Sequence, residues 1–228
     1  MEIQTSSTSL RDRFGLLLRD NRFIIAIEVS LVIILVALHL QSRIIFLLLL
    51  GWLSLWLRRN SWKNIGMNQP SNWGRTILAG FGISVIWQLF SIGILVPVLQ
   101  RLTNTTLDLS QFESLRGNYA MLAIWLTVSW TIAAFGEEMV YRGYILNRLA
   151  DLFGKSQFGW GTGVIISSVF FGLSHLYQGV AGVVETFVFG TIMACLYLAR
   201  KRNLWLVIFV HGMNDTIGFL LIFLGLYP

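Results

Sequence analysis

Long apolar runs separated by short polar connectors dominate the chain. The runs fall at about 23–40, 44–57, 76–99, 119–138, 160–177, 180–199 and 204–225. A helix needs about 20 apolar residues to cross the hydrocarbon core of a bilayer, with some tolerance. The pattern therefore predicts an all-α fold, a polytopic transmembrane helical bundle of about seven spans. The second run, IIFLLLLGWLSLWL, is short and suits a thin or tilted crossing. The fourth loses its unbroken apolar character near residue 138. Beyond it, EEMVYRGYILNRLADLF keeps apolar residues at helical spacing, which predicts that the helix continues. MNQPSNWGR reads as a turn-rich link, and RLTNTTLDLSQFESLRGN, about residues 100–118, as the sizeable connection on the opposite side. Three regions are expected: an amphipathic lead-in over 1–22, N-terminal membrane helices with an external loop over 23–118, and a membrane core over 119–228.

Composition agrees. Hydrophobic residues make up 55% of the chain and charged residues 12%, with a mean hydropathy of +0.69. A soluble domain carries about 25% charged residues, so an integral, multi-pass membrane protein of the plasma (inner) membrane is expected. The net charge of +6 acquires its meaning from placement. With the N-terminus cytoplasmic, one side collects Arg11, Arg13, Arg19, Arg22, Arg58, Arg59, Lys63, Arg75, Arg142, Arg148, Lys155, Arg200, Lys201 and Arg202. The other side collects Arg43, Arg101 and Arg116. Fourteen against three is the bias that sets membrane orientation. The basic balance is thus a topology signal and does not point to nucleic acid. Membrane lipid is the expected surrounding partner. FGLLL near the N-terminus is too short for a signal-peptide core and is interrupted by Asp12 and Asp20. Cys195, the single cysteine, rules out an intrachain disulfide and is expected as a small packing residue.

Few ionisable residues remain within the runs: Glu28, His39, Glu137, Glu138, His175, Glu185, His211 and Asp215, with Arg142 one turn past the carboxylate pair. Each is costly at bilayer depth, which makes it a candidate for function. Three pairs stand four residues apart, on one helix face: Glu138 with Arg142, Phe171 with His175, and His211 with Asp215. Glu137 points about 100° away from Glu138, so the two carboxylates can take different roles. His39, at a span end, and Glu28 and Glu185 are read mainly as hydrogen-bonding partners between helices. The small residues in FGISVIW and VFGTIMA read as close-packing positions. A bundle can bring a carboxylate, two imidazoles and a second carboxylate to one pocket. Such a set suits water activation by Glu137 or His175, with His211 donating to the oxyanion. A zinc site on Glu137, His175 and His211 is the competing use, although no His-Glu-x-x-His helix is present. A proton-coupled transporter using the same groups as a relay, and a non-catalytic scaffold, are the alternatives from other classes.

The strings EEMVYR, FGLSH and HGMND, in that order, resemble the three signature motifs of the CPBP family. That family comprises type II CAAX prenyl proteases and bacteriocin-processing or self-immunity membrane proteins. The resemblance covers about residues 119 to 216. It implies an intramembrane endopeptidase, a peptidase of glutamate or metallo type, acting on a protein or peptide from the membrane or the cytoplasmic side. It assigns Glu137 and His175 to the attacking water, His211 and Asp215 to the oxyanion, and Glu138 with Arg142 to holding the site, next to Phe171. No cofactor is required on the glutamate mechanism, and Zn on the other. Position 215 departs from the family's prenyl proteases, which carry Asn there. An ionised Asp accepts hydrogen bonds only. Three roles therefore remain for Asp215: a protonated donor, an orienter of His211, or a metal ligand. Asn214 faces another side of the helix and is not expected to replace it.

Overall fold

Polar residues placed just ahead of the apolar runs set where the helices begin. The computed structural model describes residues 15, 18, 21–38 and 43–227, without the side chain of Arg43. Helix α1, Arg22–Ala37, is capped by Asn21, whose side chain accepts from the backbone N–H groups of Phe23 and Ile24. Helix α2 is Arg43–Leu57. Helix α3, Trp73–Thr103, starts on Asn72, and α4, Tyr119–Phe153, starts on Asn118. Ser156 caps α5, Gln157–Leu173; α6 is Gly179–Ala199; and Asn203 caps α7, Leu204–Phe223. Each such cap satisfies a backbone donor that would otherwise lack a partner, a contribution of about 1 kcal/mol. Gly154, at φ +82°, stops α4 where residues with a Cβ would be strained.

No strand occurs among the described residues, and the architecture is an all-α polytopic bundle. Helices α3, α4, α7, and α6 with the turn before it, are long and apolar enough to cross a membrane. Helices α2 and α5 are apolar but shorter. Outward faces carry Leu78, Ile86, Leu89 and Ile34, an apolar exterior that a water-soluble protein would not display. The chain is an integral membrane protein. Helix α4 runs on to Phe153, as the spacing of its later apolar residues predicted.

Two helices contain widened π turns: Ser91–Leu95 in α3, and Ser129–Glu137 and Met139–Ile145 in α4. The first precedes Pro97, which lacks the N–H that a regular turn would use. Those in α4 bracket Glu138. Such turns insert an extra residue per bond and are frequent where side chains must be re-aimed toward a site.

Small residues bring the helices close. Gly80 lies against Phe209, and Ser84 donates to the carbonyl of Val210, joining α3 to α7. Gly172 meets the Val183 carbonyl between α5 and α6, and Gly190 meets Phe171. Of the small residues singled out in sequence, Ser84 and Gly190 pack closely, whereas Gly82 has nothing within 4 Å of a would-be Cβ. Cys195 is exposed, contrary to the packing role expected of it. It lies on the outer face of α6, while Met193, Ala194 and Tyr197 face the core. His39 and most of the 1–22 lead-in lie outside the described residues.

The bundle has two distinct ends. At one, Leu204 N–H donates to Gly66 O, Asn203 to Asn68 O, and Arg202 to Asn147. This gathers the connections near 61–68, 147–155 and 200–204. At the other, Asp108 N–H donates to Gln178 O and Gly117 N–H to Phe223 O, which joins the 104–118 connection to the ends of α5 and α7.

Candidate active site

Helix α4 supplies the carboxylates and the arginine, α5 the aromatic ring and first histidine, and α7 the second histidine. Glu138 is fully buried, and its Oε1 accepts from Arg142 Nη1 at 2.7 Å and from His211 Nδ1 at 2.8 Å. The expected pair is therefore a triad across two helices. Arg142, 2% exposed, also donates to Gly190 O at 3.0 Å, and its guanidinium lies 4.6 Å over the Phe171 ring. Phe171 is enclosed by Tyr141, His175 and His211, with ring centroids 5.1, 4.8 and 6.1 Å away. A cation on an aromatic face is worth about 2 kcal/mol when desolvated. Phe171 thus helps to hold the arginine and fixes the spacing of both imidazoles.

The hydrogen bonds also determine the tautomers. His175 Nδ1 lies 2.8 Å from the carbonyl of Phe171. A carbonyl only accepts, so Nδ1 carries the proton and Nε2 the lone pair. By the same logic His211 Nδ1–H donates to the Glu138 carboxylate. Its Nε2 lies 3.7 Å from Asp215 Oδ2.

A cavity of about 890 Å³ opens over this group, lined by Glu137, His175, His211 and Asp215 together with Phe171. Glu138 is not on its wall. Glu137 is half-buried, and its Oε2 has no hydrogen-bond partner in the protein. It lies in the electrostatic field of His211 and Asp215. Both histidines reach the same cavity because α5 and α7 start at different levels. Gly163, six residues into α5, packs on Leu146, whereas Leu204, the first residue of α7, packs on Gly143. Helix α5 therefore begins farther toward the basic end than α7, which places its C-terminus beside His211.

Several lining residues were not singled out from sequence. Ser129 donates to Asp215 Oδ2 at 2.7 Å. Its one signal was a small hydroxyl within an otherwise apolar run. Gln88 donates to the side chain and the carbonyl of Asn214. Asn214 lines the same cavity as Asp215, contrary to expectation, because the two stand three and four residues after His211 and, with Gly218 and Phe219, form one broad face of α7. Tyr177 lines the cavity from the turn after His175. Tyr227, beyond α7, contributes a phenol that burial pushes up to about 12, so it remains a donor at neutral pH. Near the mouth, hydrogen bonds from Ser110 hold the Asp108 carboxyl below its ordinary range.

The other membrane carboxylates serve differently. Glu185 lines the cavity and accepts from Ser91 at 2.9 Å, across from α6 to α3. Glu28 is outside it, paired with the buried Arg58 and accepting from Ser54 and Tyr144. Arg58, counted as a loop charge in the sequence, is a buried ion-pair partner. Among the described residues no three His, Cys, Asp or Glu side chains are placed to hold one metal ion. Glu137, His175 and His211 do not form a ligand set as they stand.

Comparison with curated proteins and with solved structures gives no match. Comparison with protein families does: residues 119–217 match the family described as Rce1-like, type II CAAX prenyl endopeptidase Rce1-like. The matched segment runs from the start of α4 into α7 and contains all three motifs and every cavity residue assigned to them. The match over residues 119–217 agrees with the resemblance carried by the three motifs, to intramembrane proteases of the type II CAAX prenyl endopeptidase kind.

Proposed function

We propose that the protein is an intramembrane endopeptidase in which Glu137 and His175 activate water against a peptide carbonyl. The observation that carries this is the division between the two adjacent carboxylates. Each leaves its Oε2 without a hydrogen bond from the protein, but Glu138 is fully buried off the cavity wall with Arg142 and His211 on its Oε1, whereas Glu137 lines the cavity. The family match supports a protease in general.

The steps follow from the donor and acceptor assignments. A water held between Glu137 and His175 loses a proton to the Glu137 carboxylate as its oxygen bonds to the carbonyl carbon. His175 Nε2, the basic nitrogen of the fixed tautomer, supplies the second acceptor. The carbonyl oxygen becomes an oxyanion, and His211 Nε2–H donates to it. That role requires the doubly protonated imidazole, and Glu138 and Asp215 supply counter-charges on its two sides. The C–N bond then breaks, and the proton taken from water passes to the leaving amine. Asp215 accepts from Ser129, so we assign it to orienting His211 rather than to donating. No step passes through a metal. The substrate is a protein or peptide, of CAAX type or leader type, and the plasma membrane is the proposed location.

The test is cleavage of a peptide library by purified protein in liposomes, read by mass spectrometry. General acid–base groups are worth about a hundredfold to ten-thousandfold in rate, so Glu137→Gln and His175→Ala should each lose at least about a hundredfold. Wild-type turnover in both variants overturns the mechanism. Activity is expected to survive a chelator, and stoichiometric metal whose removal abolishes cleavage favours the zinc alternative. The transporter reading needs charged groups strung through the bundle, whereas these cluster on one cavity.

A further inference from the structure

The cavity belongs to one end of the bundle. Its wall includes Leu107, Leu109 and Gln111 from the 104–118 connection, Leu176 from the turn after α5, and Ile222 and Tyr227 from the end of α7. A second, smaller cavity beneath the same connection shares Leu107, Leu109, Ile222 and Tyr227 with it. The mouth therefore lies where α3, α5 and α7 end and where α4 and α6 begin. At this end stand Asp108 and Glu113 with Arg116. Among the described residues no Lys or Arg lines the larger cavity.

The opposite end is basic. Arg59, Lys63, Arg75, Lys155, Arg200, Lys201 and Arg202 lie on the connections gathered there. Three residues must be subtracted from the sequence count of that side, because Arg58, Arg142 and Arg148 are buried in ion pairs rather than facing a membrane surface. Eleven against three remains, still well beyond balance. Basic residues flanking short loops are retained on the cytoplasmic side. The basic end is therefore cytoplasmic and the mouth is not.

We infer that the cavity takes its substrate from the face of the membrane opposite the cytoplasm. The cleaved segment then belongs to a polypeptide that has crossed or is emerging from the bilayer. This rests on the proposed hydrolase activity and reverses the cytoplasmic-side access expected from sequence. It specifies the substrate class as a translocated or membrane-anchored chain with its scissile segment outside.

Orientation can be read without catalysis. In a Cys195→Ser background, single cysteines are placed at Thr106, exposed at the mouth end, and at Lys155, exposed at the basic end. Intact cells are treated with a membrane-impermeant maleimide, before and after permeabilisation. Thr106→Cys should label fully in intact cells and Lys155→Cys only after permeabilisation. The reverse pattern, or labelling of both in intact cells, overturns the inference. An added impermeant peptide should also be cleaved by right-side-out vesicles and not by sealed inside-out ones. Absence of cleavage in both preparations would count against the hydrolase reading, while the labelling result would still decide the orientation.

Discussion

Removing Glu138 leaves two donors facing a missing acceptor. Its carboxylate is fully buried and holds Arg142 at 2.7 Å and His211 at 2.8 Å. In Glu138→Ala, Arg142 keeps only Gly190 O and the face of Phe171. Breaking a buried ion pair by deleting one partner costs about 3–5 kcal/mol, because the remaining charge stays desolvated. For a domain of this size each kcal/mol moves the midpoint by about 2–4 °C, so Tm should fall by about 6–20 °C. Deleting both charges with apolar residues of similar volume relieves the orphaned arginine. Glu138→Met with Arg142→Met should therefore cost less than the sum of the single variants, with a coupling of about 1–3 kcal/mol. The assay is thermal unfolding in detergent, followed through the fluorescence of the nine tryptophans. All four variants, Glu138→Ala, Glu138→Met, Arg142→Met and the double, should be inactive. A Glu138→Ala protein within about 1 kcal/mol of wild type, or singles that add to the double, would refute the triad as the support of the site.

Other substitutions probe separate parts of the account. Phe171→Ala empties a fully buried position between Arg142 and both histidines, and should cost about 3–5 kcal/mol in unfolding measurements. Gly212→Ala drives a methyl group to 2.7 Å from the Trp130 ring and should destabilise by about 1–3 kcal/mol. Gly82→Ala, with open space around it, should be neutral or raise Tm slightly through helix propensity. Asp215→Asn keeps an acceptor for Ser129 but removes one of the two counter-charges beside His211, so its cleavage rate should fall by about tenfold, whereas Asp215→Leu, which loses the acceptor as well, should fall at least about a hundredfold.

Much of this architecture is legible in the sequence because lipid makes polar residues expensive. Asn21, Asn72, Asn118 and Asn203 announce helix starts, and of the few ionisable groups in apolar runs Glu137, His175, Glu185, His211 and Asp215 mark the cavity, while Glu28 lies outside it and Glu138 off its wall. The pairings four residues apart also hold, since Glu138 and Arg142 meet within one helix. Contacts across helices were not legible. Nothing in the spacing says that His211 of α7 shares Glu138 with Arg142, because that depends on how far along each helix the bundle sets its neighbours. Ser129, Gln88 and Asn214 were missed for the same reason. Their roles arise from partners 86 and 126 residues away. At Asn214 the helix phase was read too narrowly, since positions three and four residues after His211 share one face of α7. The mouth became readable only when the 104–118 connection was placed against the ends of α5 and α7.

The most direct measurement of the central claim is oxygen transfer from solvent. Purified protein cleaves a peptide in water enriched in heavy oxygen, and mass spectrometry reads the label at the new C-terminus. The account expects one labelled oxygen per cleavage with wild type and a loss of at least about a hundredfold in labelled product with Glu137→Gln. Labelled product formed by Glu137→Gln at the wild-type rate would contradict it.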